Sequence, residues 1–147
     1  MRCLAVALAL SLPAAGVAGQ SPATAEDPGV VIIVSADVQG TQIPRTVLSS
    51  IFLAEASRWG DGRPVTPVDQ SLRSPVRAAF TDRVLRMPLD GIQSLWHRKL
   101  IDGAKPPAVK VSDDEVIAFV ARTEGAIGYV TPEAALPETV KVIGILD

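Results

Sequence analysis

Val30 to Val34 is an unbroken run of β-branched residues between Gly29 and Ser35. A strand exposed on one face alternates apolar and polar residues, so an unbroken run belongs to a strand buried on both faces. Such a strand needs a sheet with helices on its two sides, and the rest of the chain supplies them in alternation. Strands are expected at Val65–Val68, Ala108–Val111, Ala126–Val130 and Val140–Ile145. Between them lie four helical patterns. The first begins at Pro44, with a buried stripe of Ile43, Val47, Leu48, Ile51 and Phe52. The second, from Ser74, carries Val76, Phe80, Val84 and Met87. The third, from Pro88, carries Ile92, Leu95, Trp96 and Leu100; the fourth, from Ser112, carries Val116, Phe119 and Val120. The pattern predicts one α/β domain, a three-layer sandwich around a mostly parallel, doubly wound sheet.

Local signals mark the ends of these elements. Ser112-Asp113-Asp114-Glu115 has the spacing of a capping box, with acidic side chains at the positive end of the helix dipole. Gly125 stops that helix, and Gly128, inside a strand, suggests a close backbone approach. Arg58 to Pro64, with two glycines and a proline, is a turn, and Trp59 within it is expected to close the core under the loop.

The stretch from Val65 to Val84 holds the candidate site. After Val68 and Asp69, a polar turn runs through Gln70, Ser71, Leu72 and Arg73 to Ser74-Pro75. Serine is a favoured N-cap and proline suits the first helical position. A helix start exposes unpaired N–H groups, so Ser74 with Arg73 and Arg77 beside it, and Gln70 and Ser71 on the same turn, is a candidate anion site. The competing readings make Ser74 a plain helix cap and the arginines solvated surface charge.

The chain has 147 residues, 48% of them apolar, and a formal net charge of −2. That suits one globular domain and supplies no basic field for nucleic acid. Arg2, the apolar run Leu4–Leu12, Pro13 and the small residues from Ala14 to Ala18 match a secretory signal peptide, with cleavage between Ala18 and Ala25. Residues 1–25 are therefore expected to be signal and linker and 26–147 the domain, with no membrane span after cleavage. Cys3 is the sole cysteine and precedes the apolar run, so it is not a lipid-attachment cysteine. A mature chain without thiols fits the periplasm better than disulfide-rich secretion.

His97 is the only histidine and has no carboxylate at ligand spacing. With no metal-ligand cluster, nucleophile elbow or phosphate loop, neither an enzyme nor a cofactor is expected.

Several motifs carry a resemblance when taken in order. They are Ile51-Phe52-Leu53, Arg58-Trp59-x-Asp61-Gly62, Pro67-Val68-Asp69, Ser74-x-x-Arg77-x-x-Phe80 and Gly125-Ala126-Ile127-Gly128-Tyr129-Val130. Over roughly residues 30–145 the chain resembles one lobe of the PstS-like phosphate ABC transporter substrate-binding proteins, of the type II periplasmic binding protein fold. The resemblance implies an anion held in a cleft between two lobes by hydroxyls, main-chain N–H groups and an arginine. Where that family opens a helix with Ser-Gly-Thr, this chain has Ser74-Pro75-Val76, and Gln70 stands where the family has its arginine. Ser74 keeps a hydroxyl, whereas Pro75 has no N–H to offer.

Two functions follow as expectations. In the first, an exported, non-catalytic protein binds a phosphate-like small anion, with a homodimer or a protein partner supplying the missing wall of the cleft. In the second, the fold has lost its ligand and serves as an interaction module, its Ser74 turn filled by its own side chains.

Overall fold

A computed structural model describes residues 28–147; the segment read above as signal and linker lies outside the described residues. The chain order is β1 (Val31–Ser35), β2 (Gln42–Pro44), α1 (Arg45–Phe52), β3 (Thr66–Gln70) and α2 (Pro75–Phe80). A π-helical turn, Thr81–Leu85, extends α2. Then come α3 (Leu89–Ile101), β4 (Ala108–Lys110), α4 (Asp113–Arg122), β5 (Ala126–Val130) and β6 (Val140–Leu146).

The six strands form one sheet in the order β2-β6-β1-β5-β3-β4. β1 is antiparallel to both of its neighbours, while β2 runs parallel to β6, and β3 parallel to β5 and β4. Five strands therefore share one direction and β1 alone opposes them. The mostly parallel sheet expected from the sequence is present, with an inverted strand at its centre.

Alternation along the strands builds two cores. Ile32 and Val34 of β1 and Ile127 and Tyr129 of β5 join Leu48, Ile51 and Phe52 of α1 and Val76 and Phe80 of α2 on one face. Ile33, Ala126 and Val130 join Val116, Ile117 and Val120 of α4 on the other. This is the three-layer α/β sandwich. The unbroken β1 run is explained at once, since successive residues enter different cores.

Gly128 has a steric role on the α4 face. A Cβ there would lie 2.7 Å from Val68 Cγ1 and 2.8 Å from Val116 Cγ1, so a larger residue would push α4 off the sheet. Trp59 packs at the edge of the first core, and its indole Nε1 donates to Gly125 O at 3.0 Å. The Ser112 half of the capping box forms, with Glu115 N donating to Ser112 Oγ at 3.2 Å, while Glu115 Oε2 accepts from Val111 N, one residue before the cap, at 3.1 Å.

Four local expectations are corrected. Ile43 and Pro44 were read as the start of the first helix; with Gln42 they instead form β2, which pairs with β6 at the sheet edge and is too short for any period to register. Val47 is exposed, because α1 turns only Leu48, Ile51 and Phe52 inward. β3 continues through Asp69 and Gln70, both buried, because partners waiting inside the fold satisfy their polar groups. Of the α3 stripe only Ile92 is buried; Trp96 is half-buried and Leu100 exposed.

Candidate functional site

The shared direction of β3, β4 and β5 brings their carboxyl ends to one end of the sheet, where α2 and α4 begin. α2 then packs on one face and α4 on the other. Neighbouring strands whose helices depart to opposite faces leave a crevice between them. The crevice here is an open cleft of about 740 Å³, lined by Gln70, Ser71, Arg73, Ser74, Ser112, Asp113 and Thr131 among others. Four of the five residues singled out in the sequence thus share one cleft. Arg77 does not line it.

Arg77 is 5% exposed and forms a buried ion pair with Asp69. The readings of Arg77 as cleft rim or as solvated charge are both corrected. Arg77, Phe80 and Val84 stand at i, i+3 and i+7, the spacing of an inward face, and Asp69 ends the adjacent strand. That spacing was the available signal. The Tyr129 hydroxyl donates to Asp69 Oδ1, and the Gln70 amide N–H reaches Asp69 Oδ1 at 2.9 Å and the Tyr129 oxygen at 3.1 Å. Burial pushes the Arg77 guanidinium below its usual pKa, and burial pushes the Tyr129 hydroxyl up to about 12.

Gln70 is built in as firmly. Its side-chain N–H groups donate to Asp113 Oδ1 at 2.8 Å and to Tyr129 O at 3.0 Å. Its Oε1 accepts from Ser74 Oγ at 2.8 Å. Ser74 sits at the N-cap position, yet its side chain makes no capping hydrogen bond because the hydroxyl serves Gln70 instead. Asp113 Oδ2 accepts from Thr131 N at 3.1 Å and Thr131 Oγ1 at 2.6 Å. Asp113 and Thr131 were not singled out as site residues, since their partners lie on three different elements. The Asp113 spacing fitted capping and gave no reason to look further.

The groups facing the cleft therefore differ in availability. Gln70 and Ser74 form a fixed wall. Among the described residues the exposed Arg73 makes no ion pair, and Ser71 Oγ accepts the Arg73 N–H at 3.3 Å. Among the described residues no group of three or more potential metal ligands occurs. No described helix is long and apolar enough to cross a membrane.

Tyr129 gives a direct test of how dry this wall is. An unfolded chain loses the tyrosine proton near pH 10, about two units before the folded chain does. Between those values the unfolded state binds fewer protons, so stability falls as pH rises. The contribution, about 2–3 kcal/mol, is fully present below pH 10 and gone above the folded pKa. Tyr129 is the only tyrosine, so the absorbance of tyrosinate reports on it alone. A folded-state midpoint near that of free tyrosine would mean that water reaches the hydroxyl.

No protein-family model matches the sequence, and no curated protein sequence does. Solved structures do match in fold. An ABC-type phosphate transport receptor from Vibrio cholerae superposes with a TM-score of 0.64 at 18% identity, over 80% of this chain and 46% of that one. PstS from Borrelia burgdorferi superposes with a TM-score of 0.64 at 16% identity, over 80% of this chain and 47% of that one. The chain spans about half the length of the structures it matches. Its architecture is that of a single lobe with the fold of the PstS-like phosphate ABC transporter substrate-binding proteins.

Proposed function

We propose that the chain is an exported, solute-binding-like protein of the periplasm that holds a small phosphate-like anion in the cleft at the end of β3. The observation that carries this reading is the open crevice between β3 and β4, where the helices depart to opposite faces and Arg73 has no ion-pair partner among the described residues. Open α/β sheets bind their ligands at that kind of position. In this reading Arg73 and the Ser71 hydroxyl contact the anion, while Gln70 and Ser74 hold the wall in shape and Arg77 fixes the end of β3 from beneath. Asp113 adds selectivity. A carboxylate on the wall repels sulfate but accepts the proton of hydrogen phosphate, so phosphate is expected to bind better. An open cleft on one lobe favours weak binding unless a second subunit closes over it.

Thermal unfolding of the purified protein with phosphate or sulfate tests the reading. Ligand at about 100 times its dissociation constant stabilises the folded state by roughly 2.7 kcal/mol, a shift of several degrees. The shift is expected with phosphate, smaller with sulfate, and lost in Arg73→Ala. No shift at millimolar phosphate would refute the proposal.

A further inference from the structure

Helix α3 repeats apolar residues at Ile92, Trp96 and Leu100; Ile92 is buried, while Trp96 is half-buried and Leu100 opens to the surface. Leu100 is 49% exposed. Across from this stripe stand Leu72, on the turn after β3, and Val109 of the edge strand β4, also exposed. Between them lies a cleft of about 510 Å³, which shares Gln70, Ser71 and Arg73 with the anion cleft. A concave, mainly apolar space of that size suits a small molecule.

Its charges restrict what that molecule is. Asp69 and Arg77 line the cleft but neutralise each other. Arg73 lines it too and has no ion-pair partner among the described residues, so that lining carries one uncompensated positive charge. Arg77 Nε is the one buried side-chain polar atom among the described residues without a hydrogen-bond partner, and a buried donor left unpaired is costly. An apolar space with the Arg73 guanidinium at its rim matches a ligand with a hydrophobic body and an anionic head.

We propose that this cleft is a second binding site, for a small organic carboxylate with an aryl or branched-alkyl body, its carboxylate paired with Arg73 and its body packed against Trp96, Leu72 and Leu100. Arg73 also lines the anion cleft, so inorganic phosphate held there is expected to compete with the carboxylate for it.

Calorimetric titration of the full chain with 3-phenylpropionate, alongside 3-phenylpropan-1-ol, tests the assignment, with the Trp96 indole resonance reporting location. The carboxylate is expected to bind and to shift that resonance. The alcohol should bind roughly tenfold more weakly or worse. Leu100→Asp, at an exposed helix position, should weaken the carboxylate by roughly tenfold or more while leaving the response to inorganic phosphate as it was. Arg73→Ala should weaken it too. The proposal is overturned if millimolar 3-phenylpropionate gives neither heat nor an indole shift, if the alcohol binds as tightly, or if Leu100→Asp changes nothing. It is equally overturned if the protein is a dimer that Leu100→Asp splits while the probe stays inert, since the stripe would then be an interface between copies.

Discussion

Asp69→Ala is expected to lower the unfolding free energy by about 3–5 kcal/mol, the cost of leaving one member of a buried ion pair without its partner. Arg77 would keep its charge at 5% exposure, and the Tyr129 hydroxyl and Gln70 amide would lose an acceptor in the same step. Urea denaturation reads this as a lower midpoint with an unchanged slope. The control separates the pair from its geometry. Replacing Asp69 and Arg77 together by leucine and methionine removes both buried charges, and such exchanges are often neutral or stabilising. A loss in the double variant as large as in the single one would show that hydrogen bonds around the pair, rather than the orphaned charge, dominate. A loss below about 1 kcal/mol in Asp69→Ala would place the pair in the range of exposed ion pairs.

The second large effect belongs to Phe80. Its ring stacks on Tyr129 at 3.9 Å between centroids and 4° between planes, and meets Phe52 edge-on at 4.7 Å. It is fully buried where α2 crosses the first core. Phe80→Ala therefore removes a large side chain from a site that the sheet keeps from collapsing, at a cost of about 3–5 kcal/mol. A second readout distinguishes this cavity from a general loosening. Water entering the space beside Tyr129 would ease the desolvation that holds its hydroxyl protonated, so tyrosinate should form at lower pH in the variant. If stability falls and the titration does not move, the cavity stays dry. Because both variants act on Tyr129, their combined effect is not expected to equal the sum.

These residues also mark where sequence reasoning succeeds and stops. The layer structure was legible because β1 and β5 announce burial by composition and α4 by its capping box, all of them local signals. The inverted direction of β1 was not. A β-branched run has the same appearance in either direction, and only pairing with distant strands fixes it. That Gln70, Ser71, Arg73 and Ser74 would lie together at one cleft was legible because a strand followed by a Ser-Pro helix start puts polar residues at a strand's carboxyl end. Arg77 was misplaced by giving its charge more weight than its spacing. Asp113 and Thr131 stayed hidden because their link to Gln70 joins the end of β3, the start of α4 and the loop after β5. The open end of the α3 stripe was hidden for the opposite reason: Ile92, Trp96 and Leu100 have the period of a core helix, and a period does not say that only Ile92 is packed over.

The direction of β1 has a consequence for the order in which the molecule assembles. Val31 pairs opposite Val130 and Ile32 opposite Ile143, so the first strand is held on both sides by the last two. Closing so long a loop costs entropy before any pairing repays it, and folds dominated by such contacts form slowly. The centre of the sheet has to wait for β5 and β6. A chain emerging from synthesis therefore holds its most apolar strand without a partner until nearly everything after it has been made, and a cut just before Val140 would strip β1 of one neighbour and β2 of its only one.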